Sequence, residues 1–160
     1  MRTSYKVCSL LRVMIILVMI VGGIIQDRRA KRARIIDSVS KTMDAAGCKE
    51  VSSDYDPEQD EKNADSKLTK AKIEEVSSSV LAENRLSKDE SRNFSAIIGN
   101  ALHDARYHIE EIEIDGSNAK VKVEIFYGKQ SDYIDMEFTY GKDGWSLVNG
   151  EDAALSLFSN

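Results

Sequence analysis

Two cysteines in 160 residues are too few for a disulfide framework. Cys8 lies at the edge of an apolar run and Cys48 in a polar stretch, so the two are not expected to meet. Histidine is as scarce, with only His103 and His108, and no cysteine-pair metal motif accompanies them. A glycine-rich phosphate loop and a serine-nucleophile elbow are also missing, which removes the usual signatures of phosphoryl and acyl transfer. Positive charge is unevenly placed and outnumbered over most of the chain. The formal net charge is −5, and acidic residues dominate from Glu50 onward, which argues against nucleic acid as a partner. These absences predict no cofactor, no metal and no catalytic set.

What the chain does carry begins with a hydrophobic segment. Residues 7–25 read VCSLLRVMIILVMIVGGII, broken only by Arg12. A spanning helix needs ~20 mostly apolar residues, and this stretch reaches that length if Arg12 snorkels to the interface. It predicts a single-pass transmembrane signal anchor, with membrane lipid as the partner of residues 7–25. A cleaved signal peptide is the alternative, with Val21-Gly22-Gly23 as a poor cleavage site. Arg28, Arg29, Lys31, Arg32 and Arg34 follow at once and would meet anionic headgroups at the membrane surface. They favour a cytoplasmic C-terminal domain, but Arg2 and Lys6 oppose that assignment, so the side stays open. Ala-Ala-Gly-Cys at 45–48 looks like a lipoprotein site, yet no apolar run directly precedes it.

Organisation follows from composition. Residues 1–27 form the membrane anchor and 28–48 a basic juxtamembrane helix, with Ile35, Ile36, Val39, Met43 and Ala46 at helical spacing and Gly47 as its stop. Residues 49–66 hold the only proline and few apolar groups, and read as an exposed, loosely ordered acidic linker. Asp54, Asp56, Glu58 and Asp60 alternate like a calcium loop. Gln59 and Asp65 stand where such a loop needs glycine and glutamate, so a solvated linker is preferred.

The α+β domain spans 67–160. Leu68–Asn84 reads as a helix. Ser87-Lys88-Asp89-Glu90 resembles a capping box before a second helix bearing Phe94, Ile97, Ile98, Ala101, Leu102 and Ala105. The period then changes to two. Strands at 107–115, 119–127, 132–140 and 145–149, separated by short turns, predict a four-stranded antiparallel meander with helices packed on one face. A four-residue turn at 128–131 would set Lys122 opposite Glu137 and Val123 opposite Met136. The final turn would set Trp145 opposite Tyr140 and Leu147 opposite Phe138.

The helix segment FSAIIGNAL, the strands AKVKVEIFYG and DMEFTYGKDGWSL, and their order together resemble the nuclear-transport-factor-2-like or cystatin-like α+β domains. Small bacterial domains described as lumazine-binding are the nearest in kind. The resemblance covers about half of the chain. It implies a pocket between the helices and the concave sheet face, no shared catalytic set, and, for anchored members, a domain held outside the cytoplasm. The family normally has more helix before the sheet than this chain supplies.

Candidate ligand-binding residues come from the sheet: His108, Glu110, Tyr127, Tyr140 and Trp145. Without a bulge, His108 would face Ile125 and Glu110 would face Val123 on the apolar side, where protonation of both would be perturbed. A β-bulge at Glu110–Glu111, the preferred register, would turn Ile109 inward and both polar residues outward. His103 lies four residues before Tyr107 and reads as a helix-edge histidine. Trp145 reads as core, or else as the wall of a pocket shared with Tyr127 and Tyr140. The expected function is a membrane-anchored, non-catalytic module that binds a ligand or a protein partner. A structural component of a membrane complex comes second and a small pocket enzyme third.

Overall fold

The computed structural model describes residues 2–59, 75, 78, 79, 82 and 89–158. The predicted helix over Leu68–Asn84, the linker beyond Gln59 and the Ser87 cap lie essentially outside these residues. Two compact units divide at Arg34 and Ile35.

In the first unit the chain is helical, as the early part of α1 (Arg2–Ala45). Met14, Ile16, Val18, Met19, Val21, Ile24 and Ile25 are between 46% and 68% exposed. Among the described residues no helix is long and apolar enough to cross a membrane. This corrects the expected transmembrane signal anchor and the single-pass membrane localisation. The physical reason is length: between Arg12 and Gln26 the uninterrupted apolar run is only Val13–Ile25, about 20 Å at ~1.5 Å per residue, against ~30 Å of hydrocarbon. Gln26, Asp27, Arg28 and Arg29 then follow directly.

The second unit opens with the last turns of α1. Ile35, Val39, Met43 and Ala46 recur at helical spacing and are buried, so the stretch read as a basic helix supplies core. Gly47 ends it as expected. At φ +77° it occupies the left-handed region that a Cβ disfavours. The Cys48 N–H donates to the Met43 carbonyl at 3.0 Å and the Gly47 N–H to Asp44 at 2.9 Å, the two bonds of a Schellman motif.

The sheet has five strands in the order β1 (Lys49–Glu50), β2 (Arg106–Asp115), β3 (Asn118–Tyr127), β4 (Gln130–Gly141) and β5 (Gly144–Leu147). It is mixed, because β1 lies parallel to β2. This corrects the four-stranded antiparallel meander. Lys49–Glu50 falls within the expected linker, and two residues are too short to show a strand period. The parallel pairing is possible because residues 51–105 supply the long crossover it requires. The Lys49 N–H donates to Ala105 and the Val51 N–H to Tyr107, each at 2.9 Å, so the start of the acidic stretch is docked. Tyr55 then packs edge-on against Phe126 with ring centroids 5.0 Å apart.

Turn length sets the registers. Lys122 faces Asp135 and Val123 faces Ile134, while Lys120 faces Glu137. The connection is the two-residue turn Gly128-Lys129, with φ +58° at its first position as a type II′ hairpin demands. The expected pairing was therefore two residues out, which leaves every side chain on its assigned face. The final hairpin matches: Tyr140 faces Trp145 and Phe138 faces Leu147. In the β2–β3 hairpin Ile112 faces Val121. A bulge between Ile109 and Glu111 sets Ile109 opposite Val123.

Two more of the described helices join the end of α1 in the core. In α2 (Glu90–Ala101), Phe94, Ile97, Ile98 and Ala101 are buried. Its N-cap is Asp89: the Asp89 carboxylate accepts from the Arg92 N–H at 3.1 Å. The Glu90 carboxylate accepts from the Glu151 N–H at 3.0 Å, at the start of α3 (Gly150–Ser156), a helix the periodicity did not reveal. Asn149 precedes α3 and spends its side chain on β4, accepting from Glu137 N–H at 2.8 Å and donating to the Asp135 carbonyl at 2.9 Å. That side chain extends the ladder past the end of β5.

Candidate functional site

A cleft of about 470 Å³ opens in the second unit between α1, α2 and the β4–β5 edge of the sheet. Ser38, Lys41, Thr42 and Ala45 enter it from α1, and their spacing of three, four and seven puts them on one helical face. Asp89, Ser91, Arg92 and Ser95 come from the first turns of α2. Phe138, Trp145 and Leu147 form the apolar floor.

Hydrogen bonds explain why this wall holds its shape. The Ser95 hydroxyl donates to the Thr42 carbonyl at 3.0 Å and ties α2 to α1. The Thr42 hydroxyl donates to the Ser38 carbonyl at 2.9 Å. Lys41 forms an ion pair with Asp37 at 2.7 Å on the exposed side of α1. The floor is rigid for a different reason. Trp145 is only 8% exposed and meets Tyr140 edge-on, with centroids 5.0 Å apart and planes at 64°.

The five candidate ligand residues do not converge. Trp145 lines the cleft, and Tyr140 touches it only through Trp145. Tyr127 sits at the far end of β3, paired with Gln130, where burial first and then Asp132 push its hydroxyl pKa up. His108 lies opposite Glu124 on the outer face, and Glu110 is exposed at the bulge. The bulge therefore separates this pair from the apolar side. His103 is not on a helix, because α2 stops at Ala101. In the turn that follows, its Nδ1 lies 3.0 Å from Asp104.

Elsewhere the charged groups neutralise one another. On the outer face, Lys122 stands between Glu111 and Asp135 in register, and Lys120 between Glu113 and Glu137. The Lys120–Glu137 pair closes to 3.1 Å, and Lys122 lies 4.5 Å over the Tyr133 ring. Of the basic cluster, Arg28, Arg29, Arg32 and Arg34 are exposed, and Lys31 pairs with Asp27 at 3.3 Å. The carboxylates read as a calcium loop have local uses. Asp54 accepts from the Ser52 hydroxyl, and Asp56 accepts from the Glu58 N–H and the Gln59 amide. Among the described residues no His, Cys, Asp and Glu side chains group as metal ligands. Cys48 is buried, and that burial, with Asp44 adding to it, pushes its thiol up to about 12, far from a reactive thiolate.

Sequence reasoning missed Ser38, Lys41, Thr42, Arg92 and Ser95. Their signal is faint. A small polar stripe beside Ile35, Val39 and Met43 has the pattern of any solvated helix flank. Only the packing of α2 across α1 turns it into a wall. No family model, curated protein or solved structure matches this chain.

Proposed function

We propose that this chain is a binding module, non-catalytic, whose ligand seats in the cleft between α1, α2 and β4–β5. The observation that carries the reading is the composition of that cleft: an aromatic and aliphatic floor under a polar rim. Its volume of about 470 Å³ falls in the range of small-molecule sites. The nuclear-transport-factor-2-like resemblance implies a pocket between helices and sheet, which agrees with this choice. Both histidines lie away from the cleft, on the outer face and in the turn after α2, so the reading gives them no part in it.

The test uses N-phenyl-1-naphthylamine, a neutral apolar probe, titrated into the full chain. Trp145 is the only tryptophan and lines the cleft, so energy transfer from it reports bound probe in its neighbourhood, and the cleft-filling variant localises that probe. One saturable phase is expected. Ser91→Phe, at the half-buried rim, should fill the cleft and abolish that phase while the far-ultraviolet circular dichroism is unchanged. Absence of a saturable phase, or a phase untouched by Ser91→Phe, would refute the reading.

A further inference from the structure

We infer that the cleft selects an amphipathic anion: one carboxylate-like group at the rim and an apolar body over Trp145. The inference rests on the proposed binding role and specifies its ligand. It comes from counting which polar groups at the rim are still available. The Thr42 and Ser95 hydroxyl protons are committed to main-chain carbonyls. Among the described residues Asp89 is the one carboxylate in the lining, and it already accepts from the Arg92 N–H as the cap of α2. Its negative charge thus offsets the positive end of that helix.

The cations are differently placed. Lys41 gives one N–H to Asp37, which is outside the lining, and an ammonium has three to give. Arg92 contributes a guanidinium with five donors and a planar fork suited to carboxylates. One cation comes from α1 and the other from α2, so they flank the mouth from two elements. A group entering the rim meets donors with positive charge, while the rest of the ligand meets Phe138, Trp145 and Leu147. A cation would face the two like charges of Lys41 and Arg92, opposed by Asp89 alone among the described lining residues. A neutral apolar molecule would leave the donors without a new partner.

Two probes with the same aromatic body isolate the charge. 8-Anilinonaphthalene-1-sulfonate is N-phenyl-1-naphthylamine with a sulfonate added. Both are titrated into the full chain and read by energy transfer from Trp145. The sulfonate probe should bind about tenfold tighter or more, the ratio expected of one charge-assisted hydrogen bond. Raising the salt should weaken the sulfonate probe alone. Arg92→Gln and Lys41→Gln should each lower the ratio of sulfonate-probe to neutral-probe affinity several-fold. Equal affinity for the two probes, or a ratio indifferent to Arg92→Gln, overturns the anion inference while saturable neutral binding keeps the cleft. If neither probe saturates, the binding role and the anion preference fall together.

Discussion

Gly150→Ala is the sharpest perturbation the fold offers, because two effects of opposite sign compete there. Gly150 opens α3, and alanine in place of glycine normally favours a helix by ~1 kcal/mol. Restricting the unfolded chain adds ~0.4–1 kcal/mol in the same direction where the site has room. Here it has none. A Cβ would lie 2.0 Å from the Glu90 carbonyl oxygen, 2.6 Å from its carbon and 2.9 Å from the Leu147 side chain. The first two atoms are backbone at the start of α2 and cannot rotate away. Relief requires α3 to move off α2 by more than an ångström, which stretches the 3.0 Å bond from Glu151 N–H to the Glu90 carboxylate. Overpacking costs ~1–3 kcal/mol. A lost hydrogen bond to a charged group adds ~1.5–3 kcal/mol. The clash therefore outweighs the propensity gain, and a net loss of ~2–4 kcal/mol is expected in urea unfolding of the full chain. Gly99→Ala is the graded control: its Cβ would meet the Ala46 carbonyl oxygen at 3.2 Å, so the change should fall within ~1 kcal/mol of neutral. A Gly150→Ala chain as stable as the parent would refute the claim that α3 is locked against α2 by backbone contact.

Three further outcomes are expected. Trp145→Ala should cost ~3–5 kcal/mol by thermal or urea unfolding, because the indole is nearly buried against Tyr140; a melting temperature close to the parent's would show that it is cleft wall without being core. Asn149→Ala should cost ~1–3 kcal/mol by leaving Glu137 N–H and the Asp135 carbonyl without the partner they now have, and Asn149→Asp should recover only the first bond; equal losses for the two would argue against this bidentate cap. Cys48 should resist iodoacetamide at pH 8 until the chain is unfolded, and its raised pKa has a consequence for stability. The folded state holds the thiol proton more tightly than the unfolded state, so its contribution is intact below the ordinary pKa of 9.0 and is lost as pH rises toward about 12. The loss is at most ~1.4 kcal/mol per pH unit, and Cys48→Ala should flatten that part of the urea midpoint against pH; an unchanged slope would refute it.

Local chemistry accounts for what could be read from the sequence alone. Alternation from Tyr107 to Leu147 set the inner face, and Val121, Val123, Ile134, Met136 and Phe138 are buried on it. Helical spacing found Phe94, Ile97 and Ile98, and Gly47 marked the end of α1. Each of these signals lies within one element, where backbone geometry and burial repeat with a fixed period. The bulge at Ile109–Glu111 could be anticipated because His108 and Glu110 would otherwise be buried in apolar surroundings.

Tertiary structure decided the rest. The parallel strand Lys49–Glu50 exists only because the Ala105 carbonyl just before β2 and the Tyr107 carbonyl within it accept its bonds, and nothing in two charged residues announces a strand. The β3–β4 register depended on whether the turn held two residues or four, and either length keeps the same faces, so alternation could not choose between them. The polar wall of the cleft is the clearest case. Ser38, Lys41, Thr42, Arg92 and Ser95 look like solvated positions in their own helices. They become a site because the Ser95 hydroxyl finds the Thr42 carbonyl across 53 residues of chain, a contact set by how two helices pack and invisible to any periodicity within either.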